Sequence, residues 1–264
     1  MFELIYLDRF DIKDKDAGLT EPSGLALGHD GKGLWTVSDD TKTLFYMGFD
    51  GRLKEQPRLN VPDDGLEGFT VDGAGKSLYS VREDDNSVIR IKLASREVAD
   101  RRPLSSMGGY GAIERFFAGS DKNKGLEGIA WNSDRGTLAA LKEGEPGLLV
   151  EIGANLRWIR GYSKLTAAKG FVSTRKKEPK VDFSGICYDA ARKAYWIVSD
   201  KARRLYLYDP ALDRVRDSAA LAYKKGGKRK TIEKAEGVAY DPATGRLYVV
   251  SDEEARLYVF EVQA

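Results

Sequence analysis

An all-β fold, a five-bladed β-propeller of four-stranded blades spanning residues 1–264 as a single domain, is predicted by three features of the sequence. One short pattern occurs five times. Each copy holds two apolar stretches rich in residues that favour sheets, joined by a polar turn. Helical periodicity is weak throughout, and only pieces such as GAIERFF and YSKLTAA suit a helical turn.

The five copies start at Ser23-Gly24, Glu67-Gly68, Glu127-Gly128, Ser184-Gly185 and Glu236-Gly237. After each pair comes an alternating strand, a turn (DG, GAG, NSDRG, DAARK or DPATG), a second apolar strand and an acidic residue. Gly, Asn, Asp and Pro supply the backbone angles that such hairpins need. A third strand follows each time: LFYMGFD, SVIRIKL, GLLVEI, RLYLYDP and RLYVFEV. Successive glycines are 44 (24 to 68), 60 (68 to 128), 57 (128 to 185) and 52 (185 to 237) residues apart. Four-stranded blades use about 40–50 residues, so five blades with extra loops fit best. The 60-residue step leaves room for a sixth, degenerate blade as the alternative.

A propeller abolishes open sheet edges by closing a circle. The N-terminal run FELIYLDRF alternates and belongs to no copy, while the fifth copy lacks a fourth strand. The N-terminal strand is therefore expected to complete the last blade. Trp35, Tyr79, Tyr195, Trp196 and Tyr248, in the second strands, are expected in the core between blades.

Composition narrows the chemistry. Hydrophobic residues make up 42% and charged residues 32%, as in ordinary soluble domains. No membrane span and no signal peptide are read, so a cytoplasmic location is the expectation. The 43 basic and 41 acidic residues leave a net charge of +2, too small to argue for nucleic acid, and a monomer is expected. Two basic runs, TRKKEPK at 174–180 and KKGGKRK at 224–230, read as solvated loops or as grips on an anion. The lone cysteine, Cys187, reads as a small buried hydrophobe, and the lone histidine, His29, as a turn residue in GHDGKG. One histidine cannot furnish a multi-histidine zinc site, and its setting does not suit a Ser-His-Asp triad.

Antiparallel pairing places the start of each first strand and the end of each second strand at one face. Ser23, Glu67, Glu127, Ser184 and Glu236 then form an inner row at the mouth of the channel. Asp39, Glu83, Glu143, Asp200 and Asp252 form an outer row, with Arg82 and Lys142 preceding two of them. Converging carboxylates either gain protons or recruit a cation, and an oxygen-only set suits a hard cation such as calcium. The inner row reads as ligand-binding. The outer row reads either the same way or as ties to backbone N–H groups of the next blade. Tyr110, Phe116 and Phe117, in the longest leading loop, are expected to cap the channel.

The runs EPSGLAL…LWTVSDD, DGLEGFTVD…LYSVRED, KGLEGIAWN…LAALKEG, DFSGICYD…WIVSDK and KAEGVAYD…LYVVSDE resemble the SdiA-regulated, YjiK-like propeller family over almost the whole chain. They are also similar to the wider set of esterase-like phytase and gluconolactonase-type propellers. The resemblance implies a divalent cation, calcium, on Glu67, Glu127 and Glu236, and a location often in the cell envelope. Three functions stand beside one another: binding of a cation or small anionic molecule, metal-assisted hydrolysis of an ester, lactone or phosphoester with a glutamate as base, and a protein-interaction scaffold.

Overall fold

The structure, a computed structural model, describes residues 1–38, 41–61, 65–119 and 124–263, and at 56–59 the backbone alone. Strand β1 (Glu3–Asp11) opens the chain. Blade 1 holds β2 (Pro22–Leu27), β3 (Leu34–Ser38), β4 (Thr43–Met47) and β5 (Leu53–Asn60). Blade 2 holds β6 (Leu66–Val71), β7 (Ser77–Arg82), β8 (Ser87–Lys92) and β9 (Glu97–Pro103). Blade 3 holds β10 (Leu126–Asn132), β11 (Thr137–Lys142), β12 (Gly147–Gly153) and β13 (Ile159–Leu165). Blade 4 holds β14 (Gly185–Asp189), β15 (Ala194–Ser199), β16 (Arg204–Asp209) and β17 (Arg214–Ala220). A hairpin, β18 (Ala222–Lys225) and β19 (Lys228–Thr231), precedes blade 5, which is β20 (Ala235–Asp241), β21 (Arg246–Ser251) and β22 (Arg256–Gln263) with β1 on its outside.

Each blade is an antiparallel meander. β1 pairs with β22 from Glu3↔Gln263 to Asp11↔Arg256, so the first strand closes the circle as the alternation predicts. The inner strands β2, β6, β10, β14 and β20 neighbour one another in that order and return to β2. Five apolar clusters fill the five wedges between blades. Ala26, Trp35 and Val37 meet Phe69 and Leu78 between blades 1 and 2. Tyr79 and Val81 meet Ile129 and Leu138 in the next wedge, and Leu141 meets Ile186 and Tyr195 in the third. Trp196 and Val198 meet Val238 and Leu247, and Tyr248 and Leu257 meet Leu25 and Leu34 to complete the ring. Five wedges close on themselves, so the blade number is five. The extra length before blade 3 is a segment of three short 3₁₀ turns at 104–116, packed on the wedge between blades 2 and 3.

Two expectations are corrected here. Tyr110, Phe116 and Phe117 pack on that same wedge and do not cap the channel. The basic run at 224–230 is no loop but a β-hairpin, with Lys224↔Arg229 and Lys225↔Lys228 in register. His29 is an exposed turn residue, as expected. Cys187 is half-buried at the inner edge of the wedge between blades 4 and 5, where burial pushes its thiol pKa up.

Candidate functional site

The mouth is built by a repeated irregularity. In four blades the pairing of the two inner strands slips at the start of the first one: between Pro22 and Gly24, Leu66 and Phe69, Leu126 and Gly128, and Ala235 and Gly237. Ser23, Glu67, Glu127 and Glu236 fall in these skips, with Gly68 beside Glu67 in blade 2. A bulge of this kind twists the strand and re-aims a side chain. Here it brings the side chains to the cavity at the axis. In blade 4 the Ser184 amide instead donates to the Val198 carbonyl, beside the first ladder pair Gly185↔Val198.

The glycine after each of these residues lets the inner strands touch. A Cβ on Gly68 would lie 2.7 Å from Cα of Gly128, and one on Gly237 would lie 2.6 Å from the backbone nitrogen of Leu25. A Cβ on Gly185 would lie 2.6 Å from the carbonyl oxygen of Glu236. No larger side chain fits there without moving backbone.

The cavity at this mouth has a volume of about 260 Å³ and is lined by Ser23, Glu67, Glu83, Glu127, Glu143, Asp182, Ser184, Lys234, Glu236 and Asp252. All five inner-row residues reach it. Of the outer row, Glu83, Glu143 and Asp252 do. Asp39 lies outside the described residues. Asp200 is not part of the lining, but its charge acts on Glu236. Arg82 turns to Asp84 and Asp85, at 3.0 and 3.8 Å, away from the lining. Lys142 is buried and lines an adjoining cavity.

Several of these side chains also tie blades together. Ser23 Oγ donates to the Leu66 carbonyl at 3.3 Å, and Ser184 Oγ donates to the Ala235 carbonyl at 2.6 Å. Glu83 Oε1 accepts the Gly125 amide at 3.1 Å, and Asp200 accepts the Lys234 amide. Glu83 thus ties blade 2 to blade 3 through a backbone N–H group, and it also faces the cavity.

Sequence reasoning missed Asp182, Lys201 and Lys234. Asp182 accepts Ser199 Oγ and the Lys201 amide, each at 2.9 Å, and lies 3.5 Å from Lys201 Nζ. Lys234 Nζ lies 3.1 Å from Asp252. Aligning the five copies holds the signal for two of these. The position two before each inner-row residue carries Glu21, Gly65, Gly125, Asp182 and Lys234, a third, variable column of the repeat.

Seven carboxylates and one lysine line the cavity. Burial, then the charges of Glu67, Glu83 and Glu236, raises the Glu127 carboxyl well above the ordinary glutamate range. Burial, then Asp200, Glu67, Asp182 and Asp252, does the same to Glu236. Burial also raises Glu143, against the pull of Lys201, and Asp200. Carboxyls raised in this way keep their protons to higher pH or give them up to a bound cation. Glu83, Glu127 and Glu143 each offer an oxygen within 4.8 Å of the others. This tight trio, among the described residues, shares only Glu127 with the set expected from resemblance. Glu67 and Glu236 line the same cavity around it.

No helix among the described residues is long and apolar enough to cross a membrane. A crystal structure of the glutaminyl cyclase of Myxococcus xanthus is similar in fold, with a TM-score of 0.61, 13% identity, and coverage of 98% of this chain and 96% of that one. The β-propeller domain of Cps50 (Swd1) from Myceliophteria thermophila matches at a TM-score of 0.49 and 12% identity, covering 92% of this chain and 84% of that one. The sequence model of the SdiA-regulated family matches residues 6–261, from the closing strand to the end of the last blade. With its four bulged strand starts and its closed ring of five blades, the chain belongs to the SdiA-regulated family.

Proposed function

We propose that the channel mouth binds one divalent cation, calcium, on Glu83, Glu127 and Glu143, with Glu67 and Glu236 beside it, and that the bound ion recruits a small anionic molecule. The observation that carries this reading is the trio of carboxylate oxygens within 4.8 Å of one another. Oxygens around one calcium ion stand about 2.3–2.6 Å from it, which suits that spacing. A double positive charge also removes the repulsion that pushes Glu127 up. Ser23 and Ser184 add hydroxyl oxygens to the same wall.

Calorimetric titration of the chelator-treated protein with calcium tests the reading. One binding event per chain is expected, with a rise in melting temperature. Glu127→Gln should weaken it at least tenfold, because a buried carboxylate ligand is replaced by a neutral amide. A wild-type protein that calcium neither heats on mixing nor stabilises is incompatible with the site.

A hydrolytic reading has one observation in its favour. Glu236 keeps its proton to higher pH than an ordinary glutamate while lining the cavity, the condition for a carboxyl acid or base beside a bound cation. Calcium-dependent turnover of a generic ester, lactone or phosphoester, lost in Glu236→Gln, would select this reading over simple binding. The likeness to the glutaminyl cyclase concerns the fold and adds no substrate. A scaffold role finds less support. The large apolar side chains exposed among the described residues, such as Leu7, Trp158, Tyr162 and Leu212, are divided among blades 3, 4 and 5.

A further inference from the structure

Beside the acidic mouth lies a second cavity of opposite character. Its volume is about 270 Å³, and its walls include Lys124, Lys142, Lys180 and Lys201. Three carboxylates, Glu143, Glu145 and Asp182, stand among them. Glu143 and Asp182 are common to both cavities, so the two adjoin through those side chains. Both already engage Lys201, at 3.8 and 3.5 Å. The remaining lysines, Lys124, Lys142 and Lys180, face only Glu145 as an uncommitted carboxylate within the lining.

Lys142 is the unusual member. It is 1% exposed, at the end of β11. Its ammonium donates to the Glu143 carbonyl at 3.0 Å and lies 5.7 Å from the ring centre of Phe117. An ammonium has three N–H donors, and one carbonyl satisfies one of them. No carboxylate stands within ion-pair distance of it among the described residues. Glu143 and Glu83 attract it only from beyond ion-pair distance, and its burial is costly without a counter-charge in direct contact. An anion in the adjoining cavity would provide that counter-charge.

We propose that this basin binds the oxyanion group, phosphate or carboxylate, of a small ligand whose neighbouring part reaches the cation site. The proposal names the ligand class for the site above and rests on that reading. The basin is small for a whole ligand, since pockets for complete small molecules run to about 300–1,000 Å³, and it suits one charged end. Lysines bind phosphate as compact point charges with rotatable donors. Shared walls at Glu143 and Asp182 put the oxyanion one side chain away from the cation, so one ligand can touch both.

Calorimetric titration with inorganic phosphate, and separately with acetate, in calcium-free buffer tests the basin alone. Phosphate or acetate should bind the wild type, and the stronger of the two identifies the ligand's charged end. Lys142→Met, which keeps the stem and removes the charge, should weaken binding about tenfold or more. Lys124→Glu should do the same at an exposed position that tolerates substitution. Lys224→Glu, on the hairpin outside both cavities, makes the same change of net charge and should leave the affinity alone. No binding of either anion, equal affinity in Lys124→Glu and wild type, or an equal loss in Lys224→Glu would overturn the proposal. Calcium titration of the same wild-type sample keeps the two ideas apart. Calcium bound without anion binding rejects the basin only, and anion bound without calcium rejects the cation site only.

Discussion

Gly68 shows how little freedom individual residues have at the axis. Its missing Cβ is replaced by Cα of Gly128 at 2.7 Å and the Glu127 carbonyl oxygen at 2.8 Å, both backbone atoms. Gly68→Ala is therefore expected to destabilise the protein by about 1–3 kcal/mol through overpacking. Gly111→Ala, with open space around it, should stay within about 0.5 kcal/mol. Chemical denaturation of the two variants checks the contrast, and equal midpoints would contradict it. The mouth glutamates make a second prediction, about pH. Unfolded, they ionise near 4.5; folded, Glu127 and Glu236 hold their protons to higher pH. The stability this contributes is complete below the ordinary value and is lost as pH rises through the raised values. Asp85, Asp209 and Asp213 act oppositely. Their partners, Arg101, Arg216 and Lys169, hold them below the ordinary aspartate range, so their contribution is lost only in stronger acid. In calcium-free buffer the melting temperature should thus be highest in mild acid and fall toward alkaline pH. Calcium should restore most of that loss. A calcium-free melting temperature that is flat from mild acid to alkaline pH would contradict the electrostatic picture.

Among the elements, the first strands do two jobs with one sequence. Their lower ends close with side-chain-capped turns: the backbone amides after Asp72, Asn132, Asp189 and Asp241 donate to those side chains at 2.8–3.1 Å. Their upper ends carry the bulges that aim Ser23, Glu67, Glu127 and Glu236 inward. The turns were legible because Asn, Asp and Gly announce them. The bulges were not, because an extra residue in one strand shows only against its partner. The same limit applies to the hairpin at 222–231. Its lysines read as a solvated loop, and nothing local in KKGGKRK specifies a ladder between Tyr223 and Lys230. It also applies to Arg82, whose place before Glu83 suggested the mouth, whereas strand alternation turns it to Asp84 and Asp85.

For the whole molecule, closure carries the stability argument. β1 covers β22 along most of its length, and Phe2, Leu4 and Tyr6 pack against the wedge between blades 4 and 5. Phe2 meets Trp196 edge-on, with ring centres 4.9 Å apart. A chain lacking residues 1–10 exposes the edge of β22 and opens that wedge. It is expected to lose its cooperative thermal transition, which circular dichroism would register directly. A truncated chain that still melts in one sharp step would refute the role of the closing strand.

Repetition is why so much of the architecture could be read in advance. A pattern of Ser/Glu-Gly, strand, turn, strand and acid, written five times, specifies one supersecondary unit and its number, and each unit must bury its faces on its neighbours. The blade count, the N-terminal closing strand, the buried aromatics and the inner row at the mouth all follow from it. Distances across the axis do not follow, because residues such as Glu83, Glu127 and Glu143 are brought together by ring closure and not by local preference. Only the folded ring grouped that trio, moved Lys142 to a neighbouring basin, and admitted Asp182 and Lys234 to the lining. The local code sets which side chains face the channel. The circumference, the wedge packing and the bulges decide which of them meet.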